Sequence, residues 1–175
     1  MRKQLLKKLD HLDLELDELL TKLTQYDEMD LADKPAPDIW SPLQIMHHLL
    51  LSESLSLAYV KKKLSYNPKL AKAGVSSQFR SLALDLALKS PLRFTAANGT
   101  EASDLNERKF SNLQSDWTTH RADLRIYILD LDDYWMDKEV YKHPYVGRLS
   151  FSQMLGFFQT HFRHHRKQIN ARLPN

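Results

Sequence analysis

Two histidines four residues apart, His161 and His165, carry the strongest chemical signal in this sequence. On a helix, positions i and i+4 lie about 40° apart and one turn along the axis, so two imidazoles placed there can grip one metal ion. Two ligands make a weak site. A third histidine would complete a three-ligand site with open positions, an arrangement that implies chemistry on a bound water or substrate. Far upstream, His47 and His48 follow a Trp40-Ser41 pair and offer that third ligand. The 175 residues include no cysteine, which excludes disulfides, thiolate zinc sites and a cysteine nucleophile. A transition metal here must be held by His, Asp or Glu.

The elements that position these residues are helical. The chain has four glycines and few β-branched residues, and long Leu-rich stretches at helical spacing dominate it. The first runs from about Lys3 to Tyr26, with Leu5, Leu9, Leu12, Leu16, Leu19 and Leu23 on one stripe. Pro35 and Pro37 help to break it. A second helix starts legibly: Ser41 suits the N-cap, Pro42 the first helical position and Gln44 the capping box, with Trp40 and Ile45 placed for a hydrophobic staple. It extends to about Ser65. From Tyr66 to Asp104 the breakers Asn67-Pro68, Gly74, Pro91 and Asn98-Gly99 loosen the pattern, although Phe79, Leu82, Ala83 and Leu86 fit one short helix. A third long helix runs from about Leu105 to Leu131, and a loop with His143, Pro144 and Gly147 follows. The fourth helix repeats the start signature with Ser150 and Gln153, carries the inner stripe Phe151, Leu155, Phe158, His161 or Phe162, His165 and Ile169, and ends near Leu173-Pro174.

Four long amphipathic helices in one domain, residues 1–175, predict an all-α four-helix bundle. The second connection, roughly 40 residues long, lets the second and third long helices run parallel, which gives an up-down-down-up order. The second and fourth helices are then antiparallel. His48, about 10 Å into its helix at 1.5 Å per residue, falls close to the level of His165. Periodicity alone does not choose between His47 and His48, because both lie on mixed stripes.

The stretch Trp40-Ser41-Pro42-Leu43-Gln44-Ile45-Met46-His47-His48-Leu49 resembles the W-S-x-x-[EQ]-I-x-x-H-L signature of the DinB-like superfamily. His143-Pro144 to Gly147, Leu149-Ser150 and His161-x-x-x-His165-x-x-Gln168-Ile169 are similar to that family's H-P-x-x-G-x-L-S…H-x-x-x-H-x-x-Q-I ending. The resemblance spans both ends of the site. It implies an up-down-down-up bundle, usually a homodimer, with a divalent metal (zinc or nickel) on three histidines. It places the upstream ligand eight positions after the tryptophan, at His48, beside His161 and His165. It further implies thiol-dependent S-transferases or isomerases that use low-molecular-weight thiols such as bacillithiol or mycothiol, or metal-dependent hydrolases.

Two functional expectations follow. One is a metal-dependent enzyme acting on a small-molecule substrate, in which the metal activates a thiolate or a water. The other is a non-catalytic helical bundle whose metal is structural or incidental. Of the remaining residues, His47 reads as a helix-surface neighbour and His164 as exposed, while His11, His120 and His143 have no spacing argument. Gln168 is in reach of a ligand imidazole, although a plain C-terminal helix residue is the simpler reading. Trp117, Tyr134 and Trp135 suit core or dimer packing, or a pocket wall. Lys61-Lys62-Lys63 and the group Arg163, Arg166, Lys167 and Arg172 read as solvated faces, the second partly facing the acidic stretch Asp10 to Glu18. The net charge of +3 is mild, and no basic stripe is interleaved with aromatics, so nucleic acid is not an expected partner. No apolar stretch approaches the roughly 20 residues needed to cross a bilayer, and Met1 to Leu20 lacks a signal-peptide core; a soluble cytoplasmic protein is expected.

Overall fold

A computed structural model describes residues 1–89 and 108–174. Four long helices form the bundle: α1 (Arg2–Leu23), α3 (Pro42–Ser65), α5 (Phe110–Asp130) and α6 (Phe151–Asn170). Shorter pieces join them: α2 (Glu28–Ala32), α4 (Val75–Lys89), a 3-10 turn at Asp133–Trp135 and a hairpin of β1 (Tyr141–His143) and β2 (Gly147–Leu149). The order is the expected one. The Arg2 guanidinium donates to the carbonyls of Ile128 and Leu131, and Arg125 pairs with Asp10 and Asp13, so α1 and α5 are antiparallel. Glu15 with Arg163 and Glu18 with Arg166 make α1 and α6 parallel, the expected meeting of the acidic and basic faces. Ser54 beside His120 and Lys61 over Tyr127 make α3 and α5 parallel. Up-down-down-up follows, with α3 antiparallel to α6. Among the described residues, no helix is long and apolar enough to cross a membrane.

The leucine stripe of α1 is buried along its whole length. Both capping boxes form: the Ser41 hydroxyl accepts from the Gln44 N–H and the Gln44 side chain from the Ser41 N–H, and Ser150 and Gln153 repeat the pattern. α5 lacks a cap of its own. Glu28 of α2 supplies one, its carboxylate accepting from the Phe110 N–H at 2.8 Å.

The core divides into two apolar halves. Leu12, Leu57, Leu124 and Phe158 belong to one, and Leu16, Leu50, Trp117 and Phe162 to the other. Between these pairs along the chain lie Asp13, Glu53, His120, Arg121 and His161. Polar groups therefore form a belt at the waist of the bundle.

Several expectations need correction. The first helix ends at Leu23, short of Tyr26, and the fourth ends at Asn170, short of Leu173-Pro174, where the chain turns at Ala171. The predicted start of the third long helix at Leu105, and the breakers Pro91 and Asn98-Gly99, lie outside the described residues. The short helix exists as α4, but Phe79, Leu82 and Leu86, the stripe that suggests it, face solvent, whereas Ser77, Leu84 and Leu88 turn inward. The expected loop around His143 is a hairpin with His143 paired to Gly147, whose φ of 83° suits glycine. Trp117 and Trp135 are core residues, and Tyr134 is exposed against Trp135.

Candidate metal centre

The capping box fixes where α3 begins, and His48 follows two turns later. The second capping box fixes α6, and His161 and His165 sit on successive turns of it. Antiparallel packing of the two helices then closes the set. Ring centroids are 5.2 Å apart for His48 and His161, 5.0 Å for His48 and His165, and 4.6 Å for His161 and His165. One nitrogen from each ring lies within 4.8 Å of the others. His48 and His161 are 6% and 8% exposed. Trp40 lies against His48 at 4.9 Å, and Phe157 stacks on His161 at 5.1 Å, so aromatic rings wall the cluster on two sides.

The donor set fits a metal ion. The Nε2 atoms of His48 and His161 are 3.3 Å apart. Two nitrogens bound to zinc at about 2.0–2.1 Å with tetrahedral angles lie roughly 3.3–3.4 Å apart. Protonation agrees with geometry. Burial, reinforced by the neighbouring His165, His48, His164 and His143, holds His161 well below its ordinary pKa. Burial with His48 and His164 pushes His165 down to about 3. Both rings are thus neutral near pH 7 and keep the lone pairs that metal binding requires.

A further side chain orients His165. Its Nδ1–H donates to the Gln168 amide oxygen at 2.9 Å, and the Gln168 amide nitrogen lies 3.0 Å from His164 Nε2. This bond puts the His165 proton on Nδ1 and leaves Nε2 free to ligate. His164, expected to be exposed, is half-buried because it completes this bridge. Gln168→Leu is expected to weaken metal affinity roughly 10- to 100-fold, as outer partners of ligand histidines commonly do. Competition titration with a coloured chelator measures it, and an unchanged affinity would remove Gln168 from this role.

The neighbouring His47 points elsewhere. It lines an open groove of about 400 Å³ between α3 and α5, with Leu51, Ser54, Arg108, Asp116 and His120. The structure therefore gathers His48, not His47, with the α6 pair. His120 is buried in the waist belt beside Glu53 and Ser54. His143 is buried at 4.6 Å from Phe157, one ring removed from His161, and burial lowers its pKa to about 4. Neither has a spacing signal in the sequence; strand pairing and helix packing put them there.

The sequence model of one family, the DinB superfamily, matches residues 9–169, from the first turns of α1 to the last of α6. The chain belongs to the DinB superfamily. No curated protein and no solved structure matches it. The DinB-superfamily match contains all three clustered histidines together with Gln168 and both capping boxes.

Proposed function

We propose that this protein binds one divalent metal ion, zinc or nickel, through His48, His161 and His165, and that it is a metal-dependent transferase acting with a low-molecular-weight thiol. The observation that carries the reading is the convergence of three imidazoles, at least two held neutral, with a 3.3 Å donor separation. A bound dication supplies Lewis acidity, lowering the pKa of a coordinated thiol or water and leaving positions open for it. Structural zinc is normally closed by four protein ligands, and among the described residues this cluster offers three.

Thiolate chemistry is favoured over hydrolysis by what surrounds the ligands. Among the described residues, the side chains that depress His161 and His165 are other histidines and Arg172, and no carboxylate is among them. A free thiol ionises near pH 8.5 and needs only a modest push to become a nucleophile. Water, at 15.7, needs a far larger one. In this reading His48, His161 and His165 hold the ion, Gln168 fixes one ligand ring, and Trp40 and Phe157 keep bulk water from the cluster.

Metal analysis of the purified protein tests the first half, with one zinc or nickel per chain expected. His48→Ala, His161→Ala and His165→Ala are each expected to lose it, and occupancy surviving these changes would refute the ligand assignment. A conjugation panel with bacillithiol, glutathione and coenzyme A against electrophiles tests the second half. Metal-bound protein that turns over none of them would refute the transferase reading.

A further inference from the structure

The face of α3 toward α5 bounds the open groove of about 400 Å³, and no residue lining it belongs to the three-histidine cluster. Its volume suits a small molecule. A hydroxyl, an imidazole and a carboxylate meet at its wall. The half-buried Ser54 Oγ lies 3.3 Å from His120 Nδ1, and His120 Nε2 lies 3.4 Å from Glu53 Oε2. Ser54 and His120 both line the groove, whereas Glu53 is buried and does not.

The carboxylate sets the tautomer. It only accepts, so the imidazole proton sits on Nε2, facing Glu53. The ring lone pair is then on Nδ1, and the Ser54 hydroxyl donates to it. Nε2 and Oε2 have no hydrogen-bond partner among the described residues, so each is free to tighten toward the other. Such contacts are commonly loose before substrate binds. When the ring takes up a second proton, its charge forms beside a buried carboxylate, which stabilises it. Arg121 takes Glu53 Oε1 and leaves Oε2 to the ring. A serine hydroxyl is a weak nucleophile until a base removes its proton, and hydroxyl, base and orienting carboxylate in this order mark an activated one. Leu50, Leu51, Leu57 and Ala58 line the same groove and offer an apolar seat for a short acyl chain.

We propose that Ser54 is an acyl-accepting nucleophile with His120 as its general base, in a second site that takes small esters of short-chain carboxylic acids. Ser54 Oγ bonds to the ester carbonyl carbon while its proton passes to His120 Nδ1. The bond from that carbon to the alcohol oxygen breaks, and His120 returns the proton to the departing oxygen. Water then adds to the acyl carbon and gives a proton to His120 Nδ1. The bond to Ser54 Oγ breaks, the serine takes that proton back, and the carboxylic acid leaves. One ester and one water become one acid and one alcohol. The inference is independent of the metal reading, since the groove holds none of the three ligands.

The full chain is treated with diisopropyl fluorophosphate, whose phosphorus is attacked by an activated serine with loss of fluoride, and the modified peptide is located by mass spectrometry. Hydrolysis of p-nitrophenyl butyrate is followed in parallel, before and after chelation. Ser54 is expected to be labelled. Hydrolysis is expected to be unchanged by chelation and to fall roughly 100-fold or more in Ser54→Ala and in His120→Gln, the range for losing acid–base catalysis. His120→Gln is also expected to slow the labelling of Ser54. Its melting temperature is checked, because His120 is buried; if that variant does not fold, Ser54→Ala, a change at a half-buried helix position, decides alone. An unlabelled Ser54, or hydrolysis that is absent or survives Ser54→Ala, overturns the proposal. Hydrolysis lost on chelation also overturns it and assigns the activity to the three-histidine centre.

Discussion

Glu53→Ala is expected to remove about 3–5 kcal/mol of folding stability, the usual cost of stripping one partner from a buried ion pair. Glu53 is 1% exposed, in the polar belt between the two apolar halves of the core. Its Oε1 accepts from Arg121 Nη2 at 2.9 Å, and its Oε2 lies 3.4 Å from His120 Nε2. Arg121 is equally buried, stacks over Trp117 at 5.2 Å, and has its next carboxylate, Asp13, only at 3.7 Å. Removing Glu53 leaves the buried guanidinium with Asp13, at 3.7 Å, as its remaining counter-ion among the described residues. The exposed pairs between α1 and α6 differ: Arg163→Ala, which breaks the contact to Glu15, should cost no more than about 1 kcal/mol because water and salt screen it. Replacing both waist partners by apolar residues, Glu53→Leu with Arg121→Met, is expected to be milder than Glu53→Ala, since no orphaned charge remains. Urea unfolding of the three variants measures this. A loss below about 1 kcal/mol for Glu53→Ala would show that the waist is hydrated and the pair is not holding the bundle.

That ion pair also marks the limit of what the sequence reveals. Local rules place the long helices well, because their signals are local: Ser41 with Gln44, Ser150 with Gln153, and the leucine stripe of α1 each act within a few residues. One long connection then orders the helices, and the order brings His48 to His161 and His165. Glu53 and Arg121 meet across 68 residues with no shared periodicity, so nothing in the chain announces them. The hairpin is missed for a similar reason. Its strands are three residues each and are held by pairing with one another, not by any pattern within them. In α4 the helix is legible but its inward face is not, because the apolar stripe of Phe79, Leu82 and Leu86 is the one left in solvent. Gln168 lies on a helix that the sequence locates correctly. Its partners emerge only once His164 and His165 have positions.

The metal-free protein is expected to lose stability steeply between about pH 6.5 and pH 4, and the sign follows from three buried imidazoles. Burial pushes His143 to about 4, His165 to about 3 and His161 well below its ordinary value. In the unfolded chain each takes up a proton near 6.5. Between those limits the unfolded state holds more protons than the folded one, so stability is fully present above the unfolded pKa and is lost as pH falls toward the folded values. Each such group costs about 1.4 kcal/mol per pH unit, and three together at most about 4 kcal/mol per unit. Depressed carboxylates such as Glu15 add their loss only at lower pH, below their own unfolded value. A bound metal should lift the curve, because only the folded chain presents the three ligands together, and because His161 and His165 do not begin to compete for it with protons until far below pH 6.5. Urea midpoints after chelation, at pH 7.5, 6 and 5, measure the slope. His143→Gln is expected to flatten it by about 1.4 kcal/mol per unit without touching the ligands. A midpoint that stays level from pH 7.5 to pH 5 would mean that these rings are hydrated and titrate freely, and the low-pKa, neutral-ligand basis of the proposed centre would fall with it.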